Sequence, residues 1–154
     1  MTAQSNLDRL VAEADIRALC CGYAQALDRR NLDQLRTLFT ADAVLEGTST
    51  TFTGIDQISK LVGLMGERYI ATQHALHNQM ISLAGDTATS ETYCTAQHVR
   101  KAADGTTEIY VIAVRYRDSF RRVDGAWRIT RRVVIPDWEE IRPATATPSR
   151  HGDL

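Results

Sequence analysis

Two histidines stand three residues apart in "ATQHALHNQM", residues 71 to 80, with an amide beside the second. Such a pair suggests either a metal chelate or a general base with support. The flanking run alternates as a strand does, and in a strand residues an odd number apart face opposite ways. His74 and His77 therefore diverge, which makes a poor chelate. Helical metal pairs sit four apart with a glutamate between them, and that pattern is missing as well. No metal and no cofactor is expected. By the same parity Asn78 shares a face with His74.

An inward histidine needs a partner for its second ring nitrogen, and a carboxylate is the partner that fixes the tautomer of a base. Asp28, after the small and apolar run "YAQAL", is the acidic candidate. Its place at a helix C-terminus opposes the helix dipole. It reads either as that partner or as a solvated helix end beside Arg29 and Arg30. Tyr23 can bring a hydroxyl to a cavity or serve as core. Arg131 and Arg132, adjacent on the last strand, face opposite ways, so one can enter the interior while surface pairing of both remains open. His98, at a strand end, can join the pocket.

The elements that must hold these residues follow from periodicity. Residues 7 to 29 read as one helix, with Ile16, Leu19, Cys20, Tyr23 and Leu27 as its apolar stripe and Leu7, Leu10, Val11 and Ala14 continuing it. Asn31 with Gln34 three residues on marks the start of a short second helix. "TADAVLEG" and "TSTTFTG" read as a short hairpin, and residues 54 to 69 as a third helix. Four strands follow, turning at Gly85-Asp86 and Asp124-Gly125. Helices followed by strands give the α+β class. Long twisted strands around a helix give a cone with an open mouth, where small molecules bind.

With 154 residues, 44% of them hydrophobic, one domain is expected: a core over 7–138 and an irregular tail over 139–154 that docks on a neighbouring subunit or stays loose. The net charge of -1 argues against nucleic acid or an anionic membrane as partner. No apolar run reaches bilayer length and the start lacks a signal-peptide pattern. The three cysteines lack metal-type spacing and read as reduced thiols, so a cytoplasmic location is expected. "EIYVIAVRY" carries apolar residues on both faces, as a sheet covered on both sides does, so a homo-oligomer is expected.

"IRALCCGYAQALDRRNLDQLRTLFTADAVLEG", "FTGIDQISKLV", "TQHALHNQMISLAGDTATSETYCTAQH" and "YRDSFRRVDGAWRITRRVVIPDW" together resemble SnoaL-like domains of the nuclear-transport-factor-2-like superfamily, over residues 7 to 138. The similarity is greatest to the branch of scytalone dehydratase, hexachlorocyclohexane dehydrochlorinase and bile-acid 7α-dehydratase. It implies a curved antiparallel sheet and three helices forming a cone, with an Asp–His dyad matching Asp28 and His74. It further implies a pocket asparagine at Asn78, a pocket tyrosine at Tyr23 and an arginine that best matches Arg132. A second pocket histidine falls loosely on His98. A second acidic residue of the bile-acid enzyme has no counterpart in "TYCTAQH".

The expectation is then a cofactor-independent lyase, dehydratase-like or dehydrohalogenase-like, acting on a small hydrophobic molecule. His74 is its base, Asp28 the support, Tyr23 or His98 the group that meets the leaving group, and Arg132 the cation. Leu27, Leu38, Phe39, Val44, Phe52, Leu61 and Met65 are the expected apolar wall. The alternatives are an isomerase using the same base and a binding or assembly module without chemistry. The resemblance favours a trimer over a dimer.

Overall fold

The computed structural model describes residues 3–145. A long helix, α1 (Ala3–Asp28), is followed by α2 (Leu32–Leu38), β1 (Phe39–Glu46), β2 (Thr51–Thr53), α3 (Ile55–Ile58) and α4 (Lys60–Arg68). Four long strands complete the order: β3 (Ala71–Ala84), β4 (Thr87–Lys101), β5 (Thr107–Val123) and β6 (Ala126–Pro143). The sheet runs β2-β1-β6-β5-β4-β3. All neighbours are antiparallel except β1 and β6, which are parallel. The sheet is thus mixed rather than wholly antiparallel. The pairing of a short strand with a distant one is a tertiary choice that alternation does not encode.

Local chemistry accounts for the turns. Asn31 caps α2 by accepting the backbone N–H of Gln34 at 2.9 Å. Asp124 and Gly125 both have positive φ, 49° and 80°, as a two-residue hairpin of the I′ kind requires. Four register shifts, one each in β1–β6 and β3–β4 and two in β5–β6, insert extra residues that bend the ladders. Bending a sheet this way closes it around α1.

The core lies between α1 and the concave face. Ile16, Cys20, Tyr23, Ala26 and Leu27 are buried there. Opposite them, the inward positions of β4 are Ala88, Ser90, Thr92, Cys94 and Ala96, all small enough to let the helix approach. Burial of one large aliphatic side chain stabilises by about 1.5–3 kcal/mol, so this stripe fixes the helix on the sheet. The stripe stops short of the N-terminal turns: Leu7, Leu10 and Val11 are exposed, against expectation. Strand β6 runs to Pro143, which pairs with Glu108, so the expected irregular tail is strand at its beginning. Residues 146–154 of that tail lie outside the described residues. Among the described residues no helix is long and apolar enough to cross a membrane.

Candidate active site

The last turn of α1 delivers Asp28 to the opening of β3. Asp28 Oδ1 lies 2.7 Å from His74 Nδ1, and the backbone N–H of His74 donates to Oδ2 at 2.9 Å. The Thr72 hydroxyl donates to Oδ1 at 2.9 Å. Burial alone would push the Asp28 carboxyl up. The His74 ring bond, the His74 charge and the bonds from the His74 backbone and Thr72 outweigh it and hold the carboxyl below its ordinary range. An ionised Asp28 accepts the Nδ1–H of His74, so Nε2 carries the lone pair.

Arg30 closes this arrangement. It follows α1 in the left-handed region, φ 56°, and its guanidinium turns back to the Leu27 and Met65 carbonyls. Its Nη1 donates to Thr72 Oγ1 at 2.9 Å. Arg30, Thr72, Asp28 and His74 form one hydrogen-bonded chain. Thr72 and Arg30 were absent from the expected site. Thr72 shares a strand face with His74, two residues away, and parity contained that signal.

His74 lines a cavity of about 860 Å³. The side chain is only 5% exposed, and Asp28 stands behind it. Leu27, Phe52, Leu61 and Met65 line the wall as expected, with Leu45, Ile112, Val114 and Val134 besides. Leu45 takes the place expected for Val44. Leu38 and Phe39 are core instead; the Phe39 ring meets Tyr23 edge-on at 5.9 Å from behind. The mouth carries Glu67, Arg68, Arg100 and Glu139, and Tyr110 donates its hydroxyl to Glu139 at 2.7 Å.

Tyr23 and His98 line the same cavity. Burial first of all raises the Tyr23 phenol, with the Arg132 charge working against it, so the hydroxyl stays protonated. His98 is buried, and its ring lies edge-on to His74 with centroids 5.6 Å apart. Its pKa falls to about 4, because burial disfavours the charged ring and the His74 charge adds to that.

Asn78 is outside the cavity. A bulge between Leu76 and Gln79 places two β3 residues, His77 and Asn78, against one of β4, Tyr93, since Leu76 pairs with Cys94 and Gln79 with Thr92. Both His77 and Asn78 turn outward, and His77 bonds the Thr95 hydroxyl at 2.8 Å. The parity that joined Asn78 to His74 ends at this bulge. Gln79 points inward in its place, donating to Cys20 Sγ at 3.2 Å.

Neither Arg131 nor Arg132 lines the cavity. Arg131 is exposed and pairs with Glu46 at 2.6 Å. Arg132 is fully buried and gives Asp118 two bonds of 2.7 Å, from Nε and Nη2. Its guanidinium carbon lies 4.1 Å from the Tyr23 ring centroid and 4.3 Å from that of Tyr116. The expected substrate-facing cation is thus a cation beneath the two tyrosines of the cavity floor. Asp118 sits between the inward residues Tyr116 and Phe120, so alternation marks it as buried. Among the described residues no group of three or more His, Cys, Asp or Glu side chains is placed to hold a metal.

A bent sheet wrapped on a long helix, with a lined cavity between them, defines the cone fold of nuclear-transport-factor-2-like proteins. The SnoaL-like domain model matches residues 8–133, and the chain belongs to that family. An uncharacterized protein of Mycobacterium tuberculosis is 30% identical over 125 residues, covering 77% of this chain and 81% of its own length. Among solved structures, a type 2 hexachlorocyclohexane dehydrochlorinase matches with TM-score 0.81 at 18% identity, over 94% of this chain and 98% of that one. A candidate scytalone dehydratase of Novosphingobium aromaticivorans matches with TM-score 0.76 at 23% identity, over 95% and 97%. Identities that low establish a shared fold.

Proposed function

We propose that the protein is a cofactor-independent lyase that eliminates water or halide from a small hydrophobic substrate. One observation carries the reading. His74 lines a largely apolar cavity, and its Nδ1 is held at 2.7 Å by a carboxylate that itself receives two further hydrogen bonds. In the proposed step His74 Nε2 takes a proton from the carbon next to the one bearing the leaving group. The C–H electrons become the second bond of a C=C, and the leaving group departs with its own bonding pair. Asp28 stabilises the imidazolium that forms. Tyr23 donates its hydroxyl to the departing group, and Arg132 beneath that ring favours negative charge developing above it. The dehydrochlorinase and dehydratase among the fold relatives are consistent with this chemistry. An isomerase would use the same base and return the proton to another carbon.

The test is a screen of halogenated, hydroxylated and enone ring compounds with the wild-type chain and His74→Ala. Elimination by the wild type that falls by ~10²–10⁴-fold in a folded variant supports the reading. Double-bond migration without loss of a group points to the isomerase. Equal turnover by both chains overturns either.

We propose further that the chain works in the cytoplasm as a homo-oligomer, a trimer rather than a dimer. Met80 and Tyr93 on the outer sheet face, and Trp138 and Ile141 toward the end of β6, are exposed apolar surface suited to burial by other copies. Light scattering measures the state directly.

A further inference from the structure

The two cavity histidines are anchored alike and differ in their anchors. His98 faces Tyr110 across β4 and β5, and its Nδ1 lies 3.3 Å from the Tyr110 carbonyl oxygen. A carbonyl only accepts, so Nδ1 carries the hydrogen and the neutral ring has its lone pair on Nε2. With Nδ1 bonded to the Tyr110 carbonyl, Nε2 is the ring nitrogen left to meet a molecule in the cavity that His98 lines. The ring is held in this pose by Tyr69, with centroids 4.5 Å apart, and by Tyr110 at 5.8 Å. The titratable and charged groups around it are His74, Asp28, Arg30, Tyr69 and Tyr110; only His74 has Asp28 as a direct partner.

We propose that His98 selects the substrate: its Nε2 accepts a hydrogen bond from a substrate hydroxyl, so the cavity takes an apolar ring compound bearing an O–H and disfavours the matching ether or ketone. The inference rests on reading this cavity as the substrate site. It gives His98 a role opposite to that of a proton donor. His98 is a positioning residue that holds the ring by its hydroxyl while His74, 5.6 Å away between centroids, works on a nearby carbon. A carbonyl oxygen in the same place would face a lone pair. A buried acceptor left without a donor is costly, so the hydroxyl compound should bind roughly 10- to 100-fold more tightly than its O-methyl ether.

The experiment needs no turnover, so it stands apart from the lyase reading. Binding of 2-naphthol and of 2-methoxynaphthalene is measured by calorimetry on the wild type, His98→Phe and His98→Gln. Ring ¹⁵N shifts of His98 are recorded in the wild type with each ligand. The expected results are an Nδ1–H tautomer, an Nε2 resonance that moves with 2-naphthol alone, and a preference for 2-naphthol that is lost in His98→Phe and partly kept in His98→Gln. An Nε2–H tautomer, an Nε2 resonance unmoved by 2-naphthol, or an equal preference in wild type and folded His98→Phe overturns the proposal. If His98→Phe does not fold, the wild-type ¹⁵N shifts decide alone.

Discussion

His74 Nδ1 and Asp28 Oδ1 stand 2.7 Å apart across 46 positions of sequence, joining the end of α1 to the start of β3. The contact explains an aspartate at a helix end where the dipole disfavours it. Three hydrogen bonds, from the His74 ring, the His74 backbone and Thr72, replace the water such a carboxylate would otherwise keep.

The first prediction concerns this unit. Asp28→Asn keeps the shape but removes the charge that supports an imidazolium. On any substrate the wild type turns over, it should lower kcat by ~10²–10⁴-fold with KM little changed. Because Asp28 acts through His74, the double variant with His74→Ala should lose little more than His74→Ala alone. Steady-state kinetics of the three chains decides; additive losses would mean that the two residues act separately.

Two downward shifts give stability that falls with falling pH, in two different windows. For His98 the folded pKa of about 4 lies below the ordinary 6.5, so between these values the unfolded chain binds more protons. Stability should be full above about pH 6.5 and fall as the pH drops toward 4, by on the order of 3 kcal/mol from this group. Asp28 is also depressed, so its contribution is present above the unfolded carboxylate value of about 3.9 and fades only as the pH falls further. Denaturant unfolding at pH 7, 5.5 and 4.5 should show the loss in wild type and a shallower loss in His98→Phe. Parallel slopes in the two chains would contradict the buried neutral ring.

Much of this arrangement was legible in the sequence. Helix period, the Asn31 cap and the turns at Gly85 and Asp124 are local signals, and each names its element. Alternation separated His74 from His77 and allowed Arg132 an inward place. It could not reveal the bulge at His77 and Asn78, which exists only as a miscount against β4. Nor could it choose between Arg131 and Arg132 or tell that Arg132 meets Asp118, because that pairing depends on register between β5 and β6. The β1–β6 pairing and the Arg30 hook are likewise products of tertiary packing.

The bulge yields the third prediction. Asn78 is exposed and lies outside the cavity, so Asn78→Ala should leave activity unchanged and stability within about 0.5 kcal/mol. Gln79→Ala removes an inward amide that donates to Cys20 and Ser90 and should cost more, about 1–3 kcal/mol. Thermal unfolding of both variants measures the contrast. A larger loss for Asn78→Ala would place the strand in the other register.

The fourth prediction addresses Arg132. Its pair with Asp118 is wholly buried, with side chains 1% and 0% exposed, and Nη1 has no hydrogen-bond partner among the described residues. Taking two charges out of water is expensive, and their attraction offsets the cost only while both are present. Asp118→Ala leaves a buried cation over the faces of Tyr23 and Tyr116 and should destabilise the fold by about 3–5 kcal/mol. Arg132→Met with Asp118→Leu fills the same space without charge and should recover most of that loss. If Arg132 also sustains charge above Tyr23, as the lyase reading holds, this stable double variant should still turn over more slowly. Unfolding and kinetics on the same three chains separate the two roles: restored stability with undiminished kcat would leave Arg132 as scaffold, and restored stability with lowered kcat would place its charge in the reaction.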